Sequence, residues 1–138
     1  CRAGSRYNVY SEQYILSIEV EAKLVSDMAK TSIYPSAMNY LGQLTATMKD
    51  ASAAGITLDS ELAQKIASES TAMMAIADKL DAAIEVHDFG SIEEHMKFCA
   101  YEIRKLMDQA RAHIDALELL VADQYWPLPK YSEMLFIK

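Results

Sequence analysis

Apolar residues recur along most of this chain in steps of three and four, the spacing that lays one stripe down an α-helix. Between Ile92 and Leu120 the series Ile92, Met96, Cys99, Ile103, Leu106, Ala110, His113, Leu117, Leu120 is continuous. It predicts a helix packed lengthwise on others. Leu62, Ile66, Met73, Ala77, Leu80 and Ile84 repeat the pattern one segment earlier, with a single polar step at Ser70. A third set begins with Ile15, Ile18, Ala22, Val25 and Ala29 and resumes beyond Pro35 with Leu41, Leu44 and Met48. Proline removes a backbone hydrogen bond and crowds the preceding turn, so this first helix should kink near Tyr34-Pro35 without ending.

Two breaks separate the three segments. In "DASAAGITLDSEL" Gly55 can take the left-handed turn that closes a helix, and Thr57 or Asp59 can cap the next one. In "HDFGSIEEHM" Gly90 precedes Ser91 and Glu94, the S-x-x-E spacing of a capping box. The expected fold is all-α: an up-down bundle of three long helices, the first kinked near Pro35. Beyond residue 123, Pro127 and Pro129 forbid helix, and Trp126, Leu128, Leu135, Phe136 and Ile137 make the ending strongly apolar. Residues 1–138 therefore read as a single helical domain, with 124–138 an extended docking tail.

Lengths add an expectation about partners. At 1.5 Å per residue a helix over 8–53 would be near 70 Å long, against about 45 Å for 59–88 and about 50 Å for 91–123. Residues 8–23 should then overhang the bundle and expose Tyr7, Tyr10, Tyr14, Ile15 and Ile18. An apolar patch of that kind marks a contact surface. The candidate docking interface is Tyr7, Tyr10, Tyr14, Ile18, Trp126, Leu128, Leu135 and Phe136.

Composition narrows the function classes. Net charge is −7, with 15 acidic and 8 basic residues in 59–138 against 5 and 5 in 1–58, and the basic residues form no cluster that would grip nucleic acid. No run approaches the roughly 18 apolar residues that span a bilayer. Two cysteines, Cys1 and Cys99, make no disulfide framework, so a reducing, cytoplasmic compartment fits. The start at Cys1 carries no signal-peptide pattern and reads as a cut within a longer polypeptide.

Chemistry is sparse. His95 and Cys99, four apart, could make half of a soft-metal site, but no second ligand pair is evident, so a rim histidine beside a buried thiol is expected. The Glu-x-x-His of di-iron bundles is absent at every histidine, and no glycine-rich phosphate loop occurs. Asp78 and Asp81, like Glu93 and Glu94, fall away from the apolar stripe and should only solvate the surface. No catalytic, cofactor-binding or metal residue is assigned.

Several stretches together resemble the C-terminal region of type III glutamine synthetase. They are Ile18-Glu19-Val20-Glu21-Ala22, Asp27-Met28-Ala29-Lys30, Ile33-Tyr34-Pro35 and the closing Trp126-Pro127-Leu128-Pro129. The likeness runs over nearly the whole chain, although 55–112 matches only as an amphipathic hairpin. The resemblance implies a parent enzyme that joins ammonia to glutamate using ATP and Mg²⁺ or Mn²⁺. That family's catalytic and metal-binding motifs find no counterpart here, so the fragment alone should be inert. Its partners would be the catalytic domain of the same polypeptide and neighbouring subunits of a homo-oligomer. The alternative is a stand-alone helical bundle that binds a protein or senses a small ligand.

Overall fold

The computed structural model describes residues 2–128, with side chains from Tyr10 onward. Helix accounts for almost all of it, and no strand occurs among the described residues. Three rods make up the bundle. The first joins α1 (Arg2–Met28) and α2 (Tyr34–Ala53) through a π-helical turn at Ala29–Ile33. The second is α3 (Glu61–Ile84), and the third joins α4 (Ile92–Phe98) to α5 (Arg104–Leu120) through a second π turn at Cys99–Ile103. Contacts between rods fix their order. Ser26 and Lys30 meet Asp81 and Asp78, and Glu69 meets His113, so positions rise along one rod as they fall along its neighbour. Glu19 meets His95 and Tyr40 meets Tyr125, so the first and third rods run the same way. This is an up-down-up order.

Local chemistry explains the breaks. Gly55 sits at φ 85°, where a side chain would be strained, and the Ile56 amide donates back to Ala51 O. Asp59 Oδ1 accepts from the Glu61 amide at 3.0 Å, so Asp59 serves the start of α3 as expected, although Ser60 occupies the capping position itself. Ser91 Oγ accepts from the Glu94 amide at 3.2 Å, and the Glu94 carboxylate reaches back to the Gly90 amide at 3.0 Å. The capping box is present, displaced by one residue on its return bond.

The kink expected at Pro35 takes the form of a widened turn just before it. Pro35 has no amide to give residue 31, and the Tyr34 amide bonds instead to Ala29 O, five residues back. The π turn in the third rod has no proline or glycine to announce it. There the Arg104 amide bonds to Cys99 O, again five residues back. Its effect is a change of phase. The buried series runs Cys99, Ile103, Met107, Ala110, Ile114, Leu117, Val121, stepping by four twice in succession where the periodic reading stepped by four and then three. Leu106, His113 and Leu120, expected at the centre of the stripe, lie on its half-buried flank because the wide turn rotates everything after it by about one position.

The core runs along all three rods. Ile33, Ile66, Met73, Leu80, Ile103, Met107 and Leu117 are its largest fully enclosed side chains, and among the described residues Ser11, Ser26 and Ser70 are the polar ones buried with them. The expected overhang of 8–23 is not seen as such. Ser11, Ile15, Ile18 and Ala22 are buried, because the 85–91 connection and the start of α4 lie along this part of α1. The connection is longer than a tight turn and covers residues that helix lengths alone would leave bare. At the other end, Asp123–Tyr125 forms a single 3-10 turn where an extended path was expected from Gln124, held by the Trp126 amide on Asp123 O.

Candidate functional site

At the end of the bundle where the second and third rods connect, Glu12, Glu19, His87, Phe89, Ser91 and His95 line an open cleft of about 450 Å³ floored by Ile15 and Ile92. The first rod supplies the carboxylates, the connection His87 and Phe89, and α4 His95. Phe89 stacks on the His95 ring at 4.4 Å between centroids and 15° between planes, and His87 meets the same ring edge-on at 6.0 Å. Glu19 Oε2 and His95 Nε2 face each other at 3.6 Å, with side chains only 16% and 18% exposed. Neither atom has a hydrogen-bond partner among the described residues. Enclosed polar atoms left in that state cost about 1 to 3 kcal/mol each. Glu19, His87 and His95 each bring a ligand-type atom within 4.8 Å of the others.

One turn below His95, Cys99 is fully enclosed, and burial, with the Glu19 carboxylate nearby, pushes its thiol up to about 11. The thiol is buried as expected, with His95 half-buried one turn before it. The partners Glu19 and His87 were not anticipated. Periodicity within one helix cannot reveal neighbours contributed by other segments.

A second polar cluster sits at the first π turn. Lys30 Nζ donates to Asp81 Oδ2 at 2.5 Å and to Asp78 Oδ1 at 2.8 Å, and Ser26 Oγ donates to Asp81 Oδ1 at 2.6 Å. Asp78 is exposed, as expected of a solvating residue, but Asp81 is half-buried and ties the first rod to the second. Stripe logic missed this because Asp81 flanks the buried face, where Ser26 and the Lys30 ammonium can reach it. Burial of the Asp81 carboxyl opposes ionisation, yet the hydrogen bonds from Lys30 and Ser26 outweigh it and hold the group below its ordinary value of 3.8. The two aspartates raise Lys30 above its ordinary 10.5. The carboxylate's contribution is therefore present above the unfolded value and lost as pH falls through the lower folded one. That of the ammonium is present below its unfolded value and lost as pH rises through the higher folded one. Asp81→Asn should lower the unfolding free energy by about 1 to 3 kcal/mol near neutrality. Urea titrations of the two proteins should converge as pH is taken well below 3.8. A gap that persists undiminished in acid would show that the charge contributes nothing.

The residues expected to dock elsewhere are dispersed. Tyr10 is exposed, Tyr14 is half-buried, and Ile18 is enclosed in the core. Trp126 is 8% exposed within the same core, with Leu128 packed against it and Tyr125 tilted on Tyr40 at 5.3 Å. Tyr10 and Trp126 lie at different levels of the first rod and are not brought together. The Tyr7 side chain, Leu135 and Phe136 lie outside the described residues. What the pattern did not single out is a row on α1: Leu16, Val20 and Leu24, four apart, are 62%, 50% and 63% exposed. No helix among the described residues is long and apolar enough to cross a membrane.

Comparison with known proteins agrees with the resemblance. Residues 3–52, which hold α1, the first π turn and most of α2, match the family model described as the glutamine synthetase C-terminal domain. The chain is 29% identical over 96% of its length to a glutamine synthetase of Bacteroides fragilis (strain YCH46). It is 27% identical over 97% of its length to the type-3 glutamine synthetase of Dictyostelium discoideum. It spans about 20% of the length of each. No solved structure gives a significant match. Nearly the whole chain is thus similar to part of type III glutamine synthetase, and its first rod carries the pattern of the glutamine synthetase C-terminal domain.

Proposed function

We propose that this chain is the C-terminal helical module of a glutamine synthetase of the type III kind, and that it acts in the cytoplasm as a docking and assembly element with no active site of its own. The parent reaction would join ammonia to glutamate with ATP and a divalent metal, all held by the catalytic domain. The observation that carries the docking role is the Leu16, Val20 and Leu24 row, with Tyr10 on the same helix. Large apolar side chains in an i, i+4 row do not stay in water without reason. The similarity supports an occupant from the rest of the same polypeptide, since the relatives are about five times longer than this chain.

Val20→Lys with Leu24→Lys tests the role. In the 138-residue chain the pair should leave the helical circular dichroism and melting midpoint nearly unchanged, because both sites face solvent. In the longer polypeptide it should shift sedimentation toward smaller species and cut glutamine formation at least tenfold. Wild-type assembly and activity in that double variant would remove the docking reading.

A further inference from the structure

We infer that Glu19, His87 and His95 form a binding site for one divalent transition-metal ion of the zinc class. The inference rests on the geometry of the cleft and is independent of the synthetase reading. Two imidazoles and a carboxylate suit zinc, cobalt or nickel, whereas magnesium and calcium prefer all-oxygen shells. Around a tetrahedral ion with bonds of about 2.0 to 2.2 Å, ligand atoms stand roughly 3.3 to 3.6 Å apart. Glu19 Oε2 and His95 Nε2, at 3.6 Å, are too far apart for a hydrogen bond and close to that spacing. Both atoms are enclosed and lack any hydrogen-bond partner among the described residues, which is the condition an ion between them would relieve.

The third ligand needs only a small adjustment. All three ligand atoms already lie within 4.8 Å of one another, and His87 is exposed, so a turn of its side chain can close the set. The His95 ring is braced by Phe89, stacked against it. The fourth position would be left to water from the open cleft. Because the three ligands come from the first rod, the connection and α4, an ion there would clamp this end of the bundle.

Calorimetric titration of zinc into the chelator-stripped chain tests the site, in a Cys1→Ser background that removes the terminal thiol as a competing ligand. Cobalt absorption of the same protein reports the ligand set. One equivalent of zinc should bind, magnesium at the same concentration should not, and cobalt should give tetrahedral bands without a thiolate transition. His87→Gln, His95→Gln and Glu19→Gln should each weaken zinc at least tenfold. His87 is exposed and its variant will fold, so it decides the matter even if the other two are destabilised. Absence of saturable zinc binding, a thiolate band, or unchanged affinity in His87→Gln would each overturn the site. None of these readouts depends on glutamine synthesis, so failure here leaves the docking proposal standing, and failure of docking leaves the metal site standing.

Discussion

Trp126→Ala is expected to destabilise the chain by about 3 to 5 kcal/mol, the range for deleting an enclosed indole. The reason is positional. After α5 ends, the 3-10 turn at Asp123–Tyr125 carries the chain back over α2, setting Tyr125 on Tyr40 and Trp126 in the core cluster. A tryptophan in that place fastens the C-terminal segment to the first rod, and its removal leaves a large void beside side chains with nothing to replace it. The indole nitrogen has no partner among the described residues, so part of the gain from burial is forfeited. Trp126→Phe, which drops that nitrogen and keeps much of the volume, should therefore lose less than half as much. Urea unfolding followed by circular dichroism measures both. A loss below about 1 kcal/mol for Trp126→Ala would mean the residue does not anchor the segment here.

Met107→Ala and Leu106→Ala form the second experiment, and the expected result is an inequality. Met107 is 1% exposed, so truncating it should cost about 2 to 5 kcal/mol. Leu106, adjacent in sequence and chemically as apolar, is half-buried on the flank and should cost well under half of that. A simple continuation of the four-three stripe from Ile92 predicts the reverse order. If Leu106 proves the costlier site, α5 is rotated from the phase described here and no π turn separates it from α4.

Much of the fold was legible because its determinants are local. Gly55, Ser91 with Glu94, and the recurrence of Ile66, Met73, Ala77 and Leu80 each act within one or two turns of helix, and each appears where the pattern put it. Pro35 correctly signalled a disturbance in the first rod. Cys99–Ile103 gave no warning, since every residue in it is compatible with α-helix. The extra residue in its wide turn became visible only through what it does to Met107, Ile114 and Val121. The candidate site was still less readable. Glu19, His87 and His95 come from three segments, and their meeting depends on the relative register of the rods and on a connection that lies along α1. Register of that kind is set by side-chain packing between helices, which periodicity within one helix does not encode.

The second rod has a mechanical meaning. Each of the other two rods contains a turn in which the regular hydrogen-bond ladder is interrupted, and a long helix bends most easily at such a place. Both turns rest against α3, which is unbroken from Glu61 to Ile84. It works as a splint across two weak points. Lys30, inside the first of them, is pinned to Asp78 and Asp81 on that splint. Bending the first rod at that turn would first have to pull Lys30 away from α3. The stiffness of this bundle therefore lies in its middle rod.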